Sequence, residues 1–90
     1  MIEYLKEHII EELDGAEDYW EKALENKGNN HSHIFQRMAE MELEHANALT
    51  KMLNQIKDNP EDHSAAYKEI LEAYTDKMGK VEAIKKLYYK

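Results

Sequence analysis

Apolar residues recur along the chain at the three- and four-residue spacing of amphipathic helices. The pattern predicts a first helix over residues 3–26 and a second over residues 33–57, joined by a short polar turn. A further C-terminal helical segment is predicted over residues 60–89. Glycine and proline are scarce, with three and one respectively, as expected of a helical chain. We therefore expect an all-α fold in which residues 1–90 form a single domain.

The turn between the first two helices is short enough to make them an antiparallel hairpin. Gly28 is expected to end the first helix, and Asn30 or Ser32 to cap the second. Two helices, each about 36 Å long, cannot bury their apolar faces by themselves. Since the chain has no cysteine, disulfides cannot stabilise it. The architecture we expect is therefore a two-helix hairpin plus a C-terminal helix, dimerising into a four-helix bundle.

Polar residues interrupt the apolar rows of both hairpin helices. The row of the first helix contains Leu5, Ile9, Glu12, Ala16, Tyr19 and Ala23. The row of the second contains Phe35, Met38, Glu42, His45, Leu49, Met52 and Ile56. Because antiparallel pairing brings the midpoints of the two rows to the same level, Glu12 is predicted to face Glu42 and His45.

Carboxylates in an apolar row are costly to bury unless something neutralises them. A divalent cation does so directly, since carboxylate oxygen and imidazole nitrogen are metal ligands. One glutamate helix and one Glu-x-x-His helix are half of the ligand set of a di-metal bundle, which a two-fold dimer would complete. The alternative is a metal-free polar layer that sets the register of a helical dimerisation or adaptor module.

Two segments, Glu11–Tyr19 and Glu42–Ala46, resemble the ferritin-like superfamily. The resemblance covers about residues 5–56 and is closest to the half-size encapsulated ferritins, and more distant to the rubrerythrins. In those proteins a glutamate precedes a tyrosine by seven residues on the first helix, as Glu12 precedes Tyr19 here. The Glu-x-x-His pair on the second helix also matches. The resemblance implies a ferritin-like four-helix bundle.

The implied activity is that of a ferroxidase, which oxidises Fe(II) at a di-iron carboxylate site with two irons per homodimer. Glu12, Glu42 and His45 would be the metal ligands. Tyr19 would donate its hydroxyl to a carboxylate near the metal, or alternatively would serve packing alone. By the same resemblance, the acidic Glu11 and Asp14 would form an iron-uptake site. A ring-like higher oligomer and an encapsulin-type shell are the implied partners. The donor set also suits Mn or Zn.

Alternatives remain at the level of single residues and of function. Glu17 lies on a neighbouring row with Leu13 and Trp20, and could be an additional or alternative ligand. Gly15 costs about 1 kcal/mol of helix propensity, unless it permits close approach of a neighbouring helix. Rubrerythrin-like peroxide reduction is the alternative chemistry for the same site.

The charge balance excludes several partners. With 12 basic and 19 acidic residues the net charge is −7, which argues against nucleic acid and against an anionic membrane surface. No apolar run is long enough to span a bilayer, and the N-terminus lacks the pattern of a signal peptide, so a cytoplasmic protein is expected. The lysines of residues 77–90 are expected on a solvated face or against the acidic surface of another subunit.

Overall fold

Three helices form the structure, a computed structural model that describes residues 2–56 and 64–90. Helix α1 spans Ile2–Glu25, α2 spans Ser32–Ile56 and α3 spans Ser64–Tyr88. The described residues contain no strand, which confirms the all-α fold class. The first two helices begin and end within one residue of their predicted bounds.

The C-terminal helical segment is one continuous helix, because α3 passes through Gly79 without a break. The predicted first turn of this segment, residues 60–63, lies outside the described residues. None of the three helices has an apolar stretch that could cross a bilayer.

Local hydrogen bonding explains the turn between α1 and α2. Gly28 has a φ of +97°, a left-handed conformation that ends the helical path as predicted. Asn29 then organises the turn: its side-chain oxygen accepts from the His31 amide at 2.8 Å, and its carbonyl accepts from the Ser32 hydroxyl at 3.1 Å. Ser32 is therefore buried as a donor to the turn, and it does not cap α2 in the way that its position suggested.

Helix α1 is the central element and packs against both α2 and α3. Four residues of the predicted row, Leu5, Ile9, Ala16 and Ala23, are buried, and the other two positions give way to their neighbours in sequence. Leu13 and Trp20 are fully buried, whereas Glu12 and Tyr19 are only partly so. The buried side chains of α1 are Ile2, Leu5, Ile9, Leu13, Ala16, Trp20 and Ala23.

The core is rotated toward Leu13 and Trp20 because α3 supplies apolar side chains to that side of α1. Ile70 joins the cluster around Leu13, and Val81 and Tyr88 join the cluster around Trp20. On α2 the buried apolar positions are Ala39, Ala46 and Leu53, spaced by seven residues. The predicted row of α2, with Glu42 and His45, lies at the edge of this core and is partly exposed.

The rotated core makes a quantitative prediction about stability. Leu13→Ala removes a fully buried side chain and should lower the free energy of unfolding by about 2–5 kcal/mol. Leu71→Ala is the matched control, because Leu71 lies on α3 with 48% of its surface exposed, and should cost under about 0.5 kcal/mol. Urea unfolding followed by circular dichroism measures both. Equal losses in the two variants would contradict the packing of α3 on α1.

Candidate metal centre

Three side chains meet midway along the α1–α2 hairpin. Glu12 projects from α1, while Glu42 and His45 project from one face of α2, three residues apart. Each offers one ligand atom, and these atoms all lie within 4.8 Å of one another. Antiparallel pairing places the middles of both helices at the same level, and this brings the three predicted ligands together.

The cluster lies at the edge of the helix pair and opens to solvent. The His45 side chain is 58% exposed, whereas that of Glu12 is 23% exposed. His45 Nδ1 lies 3.4 Å from Glu12 Oε2, a contact that is an ion pair only when the imidazole is protonated. The carboxylates are therefore partly desolvated, while the imidazole stays accessible from outside the chain.

Glu12 Oε2 is buried, and no donor among the described residues hydrogen-bonds to it. A buried carboxylate oxygen without a donor loses its hydration with no replacement, which is unfavourable. Its neighbour Glu42 is also an acceptor when ionised, so it cannot supply the missing donor. A proton or a cation is needed to balance the pair.

The pKa of Glu42 reflects this lack of a hydrogen-bond donor between the two carboxylates. A hydrogen bond shared with Glu12 is the largest cause that raises the pKa of Glu42 to about 7, and partial burial and the negative charge of Glu12 add to it. His45 opposes the shift, because a nearby positive charge favours the carboxylate. Near neutral pH Glu42 is therefore partly protonated, its proton is shared with Glu12 in this hydrogen bond, and a divalent cation can replace that proton.

Tyr19 lies two helical turns beyond Glu12 on α1. Its ring packs with that of Phe35, with centroids 6.4 Å apart and planes 25° apart. Among the described residues its hydroxyl has no hydrogen bond to the three clustered side chains. The structure thus places Tyr19 on the same edge of the hairpin and shows it as a packing residue there.

The remaining acidic candidates lie away from the cluster. Lys77 of α3 contacts Asp14 at 2.7 Å and Glu17 at 2.9 Å, which fastens α3 to α1. Both carboxylates raise the pKa of Lys77 above its ordinary value. Glu17 thus has a lysine partner and does not face Glu12. Glu11 is exposed, with its nearest charged contact to His8 at 3.9 Å.

Sequence reasoning missed the role of Lys77, whose side chain is 24% exposed and contacts acidic residues of its own chain. The usable signal was the pair Asp14 and Glu17, three residues apart on the side of α1 that also carries Leu13 and Trp20. Acidic residues flanking a buried apolar row favour a basic partner on the helix that covers it.

An all-α fold with a Glu–Glu–His cluster on facing helices is typical of ferritin-like proteins. Residues 3–89 match the rubrerythrin family, so the chain belongs to that family. No curated protein and no solved structure matches the chain.

The shared proton predicts a pH dependence of the metal-free chain. Because the pKa of Glu42 is raised on folding, its stabilising effect is complete below about pH 4.5, its ordinary pKa, and is lost as the pH rises through about 7. The loss should be about 1 kcal/mol, since solvent screens this half-open site. Chemical unfolding between pH 4 and pH 8, with chelator present, measures it.

Glu42→Gln keeps a neutral side chain at every pH and should flatten this part of the profile. Glu44→Gln is the control, because Glu44 lies exposed on α2 outside the cluster. If both variants kept the profile of the original chain, the shared proton would not be the cause.

Proposed function

We propose that the chain binds a divalent metal through Glu12, Glu42 and His45, and that two copies complete a di-iron site that oxidises Fe(II). The observation that carries this proposal is the buried Glu12 Oε2 without a donor, set beside a second carboxylate and an imidazole. These residues fit a metal by donor type, by charge and by spacing. The rubrerythrin family match agrees with a di-iron type of protein.

Each chain would contribute half of a di-metal ligand set. The known bundle arrangement uses one glutamate from each of two helices and a Glu-x-x-His pair from each of two others. Glu12 supplies the former and Glu42 with His45 the latter. A two-fold axis beside the open edge of the hairpin would bring the second set into place.

The surface around His45 supports a second copy as the occupant of that edge. Exposed residues of α2 with helical spacing form a largely apolar strip, which we call the α2 stripe: Ile34, Met41, His45, Ala48 and Met52. Met41 is 52% exposed and Met52 44% exposed. Because the stripe contains a proposed ligand, an apolar contact along it would also cover the metal site.

Iron bound at this site would supply the redox chemistry, each Fe(II) giving one electron to the oxidant. The two carboxylates would favour the Fe(III) product, because their negative charges offset its higher positive charge. Glu42 would release its shared proton when the cation enters. His45 would provide a neutral nitrogen ligand, and Tyr19 would limit access of water by packing beside the site.

The proposed iron-uptake residues, the location of the protein and its assembly follow from the resemblance in sequence. Glu11, exposed on α1, would attract cations toward the site, whereas Asp14 would act there only when released from Lys77. A cytoplasmic protein, a ring-like oligomer and an encapsulin-type shell are further parts of this proposal. Mn and Zn are alternative metals for the same donors.

Fe(II) oxidation tests the proposal directly. The chain should oxidise about one iron per protomer well above the rate in buffer. Glu42→Gln and Glu12→Gln should lose this activity, since each removes a charged ligand. Glu44→Gln and Glu17→Gln are matched controls that should keep it, because neither side chain lies in the cluster. Stopped-flow absorbance near the ultraviolet edge records the rate.

The family match favours peroxide reduction as the second candidate, with the same ligands. The two are separated by supplying Fe(II)-loaded protein with dioxygen or with hydrogen peroxide. Faster consumption of peroxide would favour the second candidate. If chelation changed neither the melting temperature nor the oligomeric state, the chain would be a metal-free helical module.

The α2 stripe generates a separate prediction about assembly. Met52→Glu places a charge on the stripe and should leave the monomer folded but prevent dimer formation and slow Fe(II) oxidation at least tenfold. Leu71→Glu, an equally exposed position on α3, is the control and should change neither property. Sedimentation velocity with and without metal measures the assembly. A dimer that survives Met52→Glu would exclude the stripe as the contact surface.

A further inference from the structure

Gly15 of α1 faces the Glu42 side chain of α2 at very short range. A methyl group on the Gly15 Cα would lie 3.0 Å from Glu42 Oε2 and 3.2 Å from its Cδ. Ordinary carbon contacts are about 3.5–4.0 Å. The Glu42 carboxylate therefore occupies the space that any side chain at position 15 would need.

Backbone conformation does not explain the glycine at this position. Gly15 lies in the interior of α1, and the positive φ in the described chain belongs to Gly28. In a helix interior, glycine is less favourable than every residue except proline. Gly79 is also helical but has open space around it, so crowding is specific to Gly15.

We propose that Gly15 is a positioning residue for the metal centre, because its missing side chain lets the Glu42 carboxylate lie against α1 within reach of Glu12 and His45. This inference rests on the proposed function, in which those three side chains bind a metal. It assigns the glycine to the placement of one ligand, independently of any direct contact with the metal.

Gly15→Ala should move the ligand and leave the fold intact. The atoms that the new methyl group would meet belong to the end of a flexible side chain, which can turn away. Metal sites depend on ligand distances within about 0.2 Å, so even a small displacement weakens binding. We expect the affinity for metal to fall about tenfold, the lower end of the range for residues that orient ligands.

Calorimetric titration with Zn(II), a redox-inert metal that binds the same donor atoms, tests the predicted effect of Gly15 on metal affinity. Gly15→Ala should bind Zn(II) about tenfold more weakly than the original chain. Gly79→Ala is the matched control, because it makes the same substitution within a helix but has open space, and should bind with unchanged affinity. Equal affinity in all three proteins would overturn the inference.

A metal-free measurement tests the contact itself. Gly79→Ala should raise the melting temperature by several degrees through helix propensity. Gly15→Ala should raise it less in the original chain, but by as much as Gly79→Ala in a Glu42→Ala background, where the new methyl group has room. Equal gains from Gly15→Ala in both backgrounds would overturn the contact. If the original chain bound no Zn(II), the proposed function would fail, and this role of Gly15 with it.

Discussion

Burial of the Glu12 carboxylate oxygen beside a second carboxylate is the constraint that governs the centre of the hairpin. In the described chain no donor forms a hydrogen bond to this oxygen, and Glu42 can donate one only by holding a proton. A cation at the same place satisfies both carboxylates without that proton. Folding of the hairpin, protonation of Glu42 and cation binding are therefore linked, since each alters the same local charge.

Helix α1 can hold this unfavourable group in place because its adjacent face is well packed. Leu13 and Trp20 are buried against α3, and Lys77 pairs with two carboxylates at the border of that contact. These contacts fix the position of α1 and therefore of the Glu12 side chain that it carries. Gly15 then gives the Glu42 side chain room on the α2 side. The position of the site thus depends on the packing of α1 against α3 and on the absence of a side chain at Gly15, where α1 faces α2.

The chain belongs to the rubrerythrin family, and one Glu–Glu–His cluster is present among the residues that the structure describes. One protomer holds a ligand set at an open edge, with His45 more than half exposed and apolar methionines on either side of it along α2. The exposed apolar surface and the incomplete ligand set lie on the same edge. Binding of one further protein chain there would cover both. Our proposal of a two-fold dimer follows from that coincidence.

The sequence alone was sufficient for the helices and for the three clustered side chains. The spacing of apolar residues indicates where the helices lie. Because the turn between α1 and α2 is short, the midpoints of these two helices must lie side by side. Tertiary structure decided the border of the buried face of α1, because packing of the third helix buries Leu13 and Trp20 more deeply than their neighbours Glu12 and Tyr19, while the rest of the predicted row stays buried. It also paired Glu17 with Lys77 and set Glu42 against Gly15. Such contacts depend on how separate helices pack, which the periodicity of one helix does not contain.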